Sequence, residues 1–204
     1  MLASLPSELL RSLRLTLVIA VATGLIYPLL ITGISQGAFH DQANGSLVTK
    51  SGQVVGSKLI GQQFTKPEYF HGRVSATVDP NNPTKASPYN AANSAGSNLG
   101  PSNQALIDRT SKDVAAARKD NYLDPNAPIP ADLVTADFSG VDPDITEASA
   151  LLQANRVALA RNLDPTKVRA LVERHVQGRV LVIFGEPRVN VLDVNMALDS
   201  GEAR

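Results

Sequence analysis

Leu15 to Ile34 reads LTLVIAVATGLIYPLLITGI, 20 residues without a charge. As a helix rising about 1.5 Å per residue it spans roughly 30 Å, the thickness of a bilayer's hydrocarbon core. Eleven of the 20 are Leu, Ile or Val, each favouring the membrane by about 0.3 to 0.6 kcal/mol. Ser35-Gln36-Gly37 offers small residues suited to a cleavage site. The apolar run nevertheless exceeds the 7–15 residues typical of a signal-peptide core, so an uncleaved anchor is expected. The division that follows is an N-terminus over 1–14, a transmembrane anchor over 15–36 and one domain over 37–204.

Arg11 and Arg14 precede the anchor, and no Lys or Arg follows until Lys50. The positive-inside bias therefore predicts a cytoplasmic N-terminus and a large domain on the outer face, the periplasm in a Gram-negative cell. Thr16, Ala20 and Gly24 recur at every fourth position, a stripe of small residues that would let another membrane helix approach closely. Pro28 predicts a kink after Tyr27. Ser7 is a candidate cap for the first turn, with Glu8 well placed for the helix dipole.

Lys plus Arg and Asp plus Glu both number 19. This balance argues against a nucleic-acid binder, which needs a basic face. The chain has no cysteine and no tryptophan, so it has neither a thiolate metal site nor a rich stacking surface. About 165 residues beyond the anchor suffice for one cored domain.

Leu47–Thr49 and Val54–Gly56 flank Lys50-Ser51-Gly52-Gln53 as a hairpin, and residues 57–62 lead into a turn. From Tyr69 to Asn103, Gly, Pro, Ser and Asn crowd a stretch without periodicity, read as a long functional or mobile loop. Ser102 then caps a helix whose face carries Leu106, Thr110, Val114 and Ala117. Residues 121–145 read as loop. A second helix is expected over 146–162, with Ala148, Leu151, Leu152 and Leu159 as its apolar side. Asp164 and Pro165 open a third, with Val168, Leu171, Val172, His175 and Val176 on one face and Gly178 at its end. Val180–Phe184 reads as a buried strand. Arg188–Val194 reads as another, unless Leu192, Met196 and Leu198 begin a helix. The fold class is α+β: one N-terminal transmembrane helix followed by a single mixed α/β extracytoplasmic domain.

No catalytic pattern emerges. His40, His71 and His175 lack metal-ligand spacing; His71 is expected to hold a loop by hydrogen bonds and His175 to be a core residue. Asp142 and Asp144 lack the spacing of a calcium loop, which leaves helix capping. Gly96 to Asn103 precedes a helix N-terminus but lacks the Gly-Lys-Ser/Thr of a phosphate loop.

Several stretches together are similar to one family. They are Gly56–Gln62 (GSKLIGQ), Tyr69–Arg73 (YFHGR), Gly96–Asn103 (GSNLGPSN), Pro130–Thr135 (PADLVT), Arg156–Ala158 (RVA) and Gly185–Leu192 (GEPRVNVL). In that order, and with one anchor near the N-terminus, the chain resembles the C subunit of the Kdp potassium-transporting P-type ATPase. Departures fall in loops: Val74 where the family usually has Pro, Ala95 where it has Gly, and a shortened run from Ser139 to Glu147. The resemblance implies a non-catalytic accessory subunit of the plasma (inner) membrane. Its partners would be a channel-like A subunit, an ATP-hydrolysing B subunit, a small F subunit and the surrounding lipid. It also implies that ATP and potassium belong to the complex, with no cofactor bound firmly here, and that the chain raises the ATP affinity of the B subunit. Gln153 and Arg156 are then the family-implied nucleotide contacts. Tyr69, His71, Arg73, Asn98, Asn103, Glu186, Arg188 and Asn190 are the partner or loop-motif residues. A cytoplasmic nucleotide conflicts with an outer domain, so an influence on ATP affinity is expected to act by coupling through membrane helices. The competing reading is a free-standing, membrane-tethered periplasmic binding protein or enzyme whose site is the 69–103 loop.

Overall fold

A computed structural model describes residues 5–203. The chain divides into two units, one ending at Leu47 and one beginning at Val48. The first is largely one helical run, α1 (Leu5–Val21), a π-helical turn (Ala22–Ile26) and α2 (Tyr27–Ala38), followed by the short α3 (His40–Ala43). Pro6–Ala38 is 33 residues long with a mean hydropathy of 2.2 in its apolar stretch, long and apolar enough to cross a membrane. Pro28 has no N–H to offer the Gly24 carbonyl, and its ring crowds that oxygen. The π turn absorbs the mismatch: the Tyr27 N–H bonds the Ala22 carbonyl, five residues back. The irregularity thus lies in the turn before Tyr27 rather than after it. Ser7 falls inside α1 instead of capping it.

In chain order the second unit carries β1 (Leu47–Lys50), β2 (Gln53–Ser57), β3 (Val78–Asp79), β4 (Asn82–Ala86), α4 (Gln104–Asp120), β5 (Asp144–Thr146), α5 (Glu147–Arg161), α6 (Pro165–Arg174), β6 (Val176–Gln177), β7 (Arg188–Asn190) and α7 (Val191–Ser200). β1 and β2 form the expected hairpin. Ser51 and Gly52 both have positive φ, 52° and 79°, the turn geometry that matches strand twist. The central sheet is antiparallel in the order β5-β7-β6. Phe70, Ile145, Val157, Val168, Leu171, Val172, Val189 and Val194 are among the side chains that fill the core beside it.

Two caps follow sequence logic. Thr146 Oγ1 accepts the Ser149 N–H at the start of α5, and Asp164 accepts the Thr166 N–H at the start of α6, with Pro165 in the first turn. Asn162, in the left-handed region, closes α5.

Several expectations are corrected. The cap of α4 is Asn103, not Ser102; its side chain accepts the Ala105 N–H. α6 stops at Arg174 rather than Gly178, because Val176 pairs with Val189 and draws the chain into the sheet. Arg188–Val194 divides: the strand ends at Asn190, whose side chain accepts the Asp193 N–H and starts α7. The face of α5 is rotated. Ala148 and Leu159 are exposed, while Ser149, Gln153, Ala154, Arg156 and Val157 are buried. Asp142 and Asp144 cap no helix; they pair with Arg73 (3.2 Å) and Arg188 (2.9 Å).

Val180–Phe184 is no buried strand. It is an exposed turn in which Leu181 and Val182 take φ of 51° and 68°. β6 ends at Gln177 and β7 begins at Arg188, so the run lies in the connection between two strands that are already paired.

The 69–103 stretch is not structureless either. It carries β3, β4 and a short 3-10 turn at Ala91–Asn93. Hydroxyl and amide side chains knit it: Ser75 Oγ donates to the Gly140 carbonyl (2.6 Å), Thr77 Oγ1 to Ser87 O (2.6 Å) and Asn93 Nδ2 to Val78 O (3.0 Å). Side chains supply the bonds that periodic backbone pairing would supply elsewhere, which is why hydrophobic periodicity misses it.

Candidate functional site

Residues 67–71 run through the domain with few backbone partners of their own. Every carbonyl in that run is met by a side chain. Arg156 Nη1 donates to Pro67 O (2.6 Å) and Tyr69 O (3.0 Å), and Arg161 Nε to Glu68 O (2.6 Å). Asn195 Nδ2 donates to Phe70 O (2.9 Å), and Gln153 Nε2 to His71 O (3.1 Å). The two amides also accept in return: Phe70 N–H donates to Asn195 Oδ1 (2.8 Å) and His71 N–H to Gln153 Oε1 (2.8 Å). Each amide thus stands in for a neighbouring strand.

The clamp is built from helices. Gln153, Arg156 and Arg161 lie on α5, and Asn195 lies on α7. Gln153 and Arg156 are 1% and 2% exposed, and Phe70 between them is fully buried. Arg156 further donates to Asn121 Oδ1 (3.1 Å) and Gln153 Oε1 (2.8 Å). A buried cation with oxygen acceptors around it is solvated by the protein in place of water. Burial lowers the Arg156 pKa, and Asp120 and Tyr122 oppose that shift. The Arg161 guanidinium also sits 4.8 Å from the Tyr69 ring centroid and binds Asp199 (2.8 Å).

His71 follows the expected role. Its Nε2 lies 3.0 Å from the Lys66 carbonyl. Burial, then the Arg156 charge, lowers its pKa from 6.5. The neutral ring with Nε2–H donating to Lys66 O is therefore favoured at pH 7. Beside it, Tyr89 donates to Arg73 O (2.7 Å), and burial raises its hydroxyl pKa. A Cβ on Gly72 would collide with that hydroxyl, so the YFHGR stretch needs a residue without a side chain there.

The structure brings Tyr69, His71, Arg73, Gln153 and Arg156 into one region. Arg188 and Asn190 lie together on β7, where Asn190 Nδ2 donates to Lys58 O (2.9 Å). Glu186 is exposed and pairs with Arg179 (2.7 Å). Asn98 is exposed with a φ of 52°, and Asn103 is a helix cap. Thr16, Ala20 and Gly24 are exposed on the apolar N-terminal helix. The sequence reading missed Asn121, Arg161 and Asn195. Asn195 alone left a trace, an amide placed among Leu192, Val194 and Met196 in a helix it does not favour.

A cleft of about 190 Å³ opens beside the clamp, lined by His71, Arg73, Asp113, Asp120 and Asn121 among others. Among the described residues, no group of three or more His, Cys, Asp or Glu is placed to hold a metal ion. The hydrogen-bonding groups of Gln153 and Arg156 are engaged with the chain's own backbone and side chains. The arrangement fixes a segment.

A family model described as "K+-transporting ATPase, c chain" matches residues 9–200. The chain belongs to that family. It is 52% identical over 201 residues to the potassium-transporting ATPase KdpC subunit of Bradyrhizobium diazoefficiens, covering 97% of this chain and 98% of that one. It is 54% identical over 200 residues to the KdpC subunit of Methylobacterium nodulans, covering 94% and 98%. To that of Rhodopseudomonas palustris it is 50% identical over 199 residues, covering 96% and 98%. The fold of this family member is one apolar helix, long enough to cross a membrane, followed by an α/β domain.

Proposed function

We propose that the chain is the accessory, non-catalytic subunit of an ATP-driven potassium-uptake complex in the inner membrane. Its N-terminus faces the cytoplasm and its α/β domain faces outward. It serves the assembly and stability of a channel-like A subunit, an ATP-hydrolysing B subunit and a small F subunit. The observation that carries this reading is identity of 50% or more, across nearly the whole chain, to subunits of potassium-transporting ATPases. The apolar helix supports it: one helix cannot build an ion filter but can dock beside one.

Potassium and ATP are handled by the other subunits. An increase in ATP affinity at the B subunit then arises by coupling through packed helices. Buried Gln153 and Arg156 act on it only by keeping the outer domain folded. Burial and the self-contained hydrogen bonding of both residues support the indirect role.

Thr16, Ala20 and Gly24 form the docking stripe. A Cβ on Gly24 meets nothing within 4 Å in this chain, so a side chain there disturbs neighbours and not the chain itself. Gly24→Leu is expected to lower co-purification of the chain with the other subunits by tenfold or more. Unchanged co-purification would remove the stripe as the docking face. Protease added to intact spheroplasts is expected to cleave the domain, and full protection would reverse the orientation.

A further inference from the structure

The Val180–Phe184 turn carries five adjacent apolar side chains, exposed by 55%, 77%, 86%, 73% and 62%. No charge interrupts them. They project from a closed neck: Val180 N–H donates to Phe184 O (2.8 Å), Phe184 N–H returns to Val180 O (2.9 Å), and Arg179 and Glu186 pair across the base at 2.7 Å. The amides of Val182 and Ile183 also bond inside the turn, to Arg179 O and Val180 O (both 3.2 Å). Leu181 and Val182 hold left-handed φ values that side chains rarely adopt, a β-branched residue least of all. Local strain of this kind persists where presenting the side chains is worth its cost.

We infer that this tip inserts into the acyl layer of the bilayer that holds the anchor. Three observations favour lipid over a protein pocket. Four of the tip's five amides are satisfied within the turn, which leaves fewer donors to desolvate as this backbone nears a medium without hydrogen-bond partners. The side chains are four aliphatics and one Phe, whereas protein hot spots are poor in Leu and Val and rich in Trp, Tyr and Arg. The domain's first strand begins nine residues after the membrane helix ends at Ala38, so the tether keeps the tip at high effective concentration near the same bilayer. Arg179 and Glu186 then lie at the headgroup level, as charged rims of interfacial segments do. The inference rests on the tether and the tip, independently of the partner subunits.

The chain contains no cysteine, so Val182→Cys creates a single site for a nitroxide label. The full chain is placed in vesicles of phosphatidylethanolamine and phosphatidylglycerol, alone and within the assembled complex. Collisions with oxygen, which concentrates in lipid, are compared with collisions with a water-soluble nickel chelate. Phe138→Cys, at a side chain 94% exposed, is the reference. Relative to it, the label at 182 is expected to gain several-fold in its oxygen-to-nickel ratio in both preparations. A ratio equal to that at 138 would place the tip in water and overturn the inference. Protection from both reagents, in the complex or in the chain alone, would place it against protein and equally overturn it. An unchanged melting temperature for Val182→Cys confirms that the probe reports on the native domain.

Discussion

Residues 67–71 and residues 180–184 invert the usual placement of polar and apolar groups. Around the first, two amides and a guanidinium buried to 1–2% exposure hold four of five consecutive carbonyls, and Arg161 holds the fifth. In the second, five apolar side chains stand outside a turn that needs nothing from the core. The difference shows what each region is for. The polar clamp makes a segment without strand partners part of the fold, whereas the apolar tip contributes little to folding and is free to meet another medium.

The largest expected effect follows from removing the clamp's cation. Arg156→Met takes the donor from the buried Asn121 Oδ1 and from the part-buried Pro67 and Tyr69 carbonyls. At about 1–3 kcal/mol for each buried group left unpaired, the domain should lose about 3–5 kcal/mol. Thermal unfolding of the full chain in detergent, followed by circular dichroism, should show a melting temperature lower by about 10–15 °C for a domain of this size. A loss under 1 kcal/mol would mean that the clamp decorates a fold held by its apolar core alone.

A smaller effect is expected from pH. The folded pKa of His71 lies below its unfolded value of 6.5. As pH falls below about 6.5 the unfolded chain takes up a proton first, so stability drops through that window and levels off below the folded pKa. His71→Gln removes the titration while keeping a donor for the Lys66 carbonyl. The decline in melting temperature between pH 7.5 and 5.5 should become shallower in that variant, and an unchanged slope would assign the dependence to carboxylates elsewhere.

The smallest effect belongs to the tip. Leu181→Asn changes an exposed side chain and should alter stability by no more than about 0.5 kcal/mol. A loss comparable to that of Arg156→Met would erase the distinction between the two regions.

What the sequence reveals follows the same division. The apolar N-terminal helix, the β1–β2 hairpin and the starts of α5 and α6 are legible because local signals set them: an uncharged run, a Ser-Gly turn, Thr146, and Asp164 with Pro165. The rotated face of α5 is not legible. Leu151, Leu152 and Leu159 outweigh Gln153 and Arg156 by hydrophobicity, yet the residues that satisfy distant carbonyls take the interior. Val180–Phe184 reads as a strand because a continuous apolar run carries no information about whether a sheet edge remains to receive it. The candidate site is half visible: Tyr69, His71, Arg73, Gln153 and Arg156 come from the motifs. Asn121, Arg161 and Asn195 become meaningful only once helices from distant parts of the chain meet the same backbone.

The central claim is that Gln153 and Arg156 serve the fold and that the chain influences ATP use through the complex without holding the nucleotide. The most direct measurement is the melting temperature of the isolated full chain as ATP is raised into the millimolar range. A ligand at a hundred times its dissociation constant stabilises the folded state by about 2.7 kcal/mol, a shift that thermal unfolding resolves readily. The account predicts no shift. A rise with ATP that disappears in Gln153→Met would contradict it.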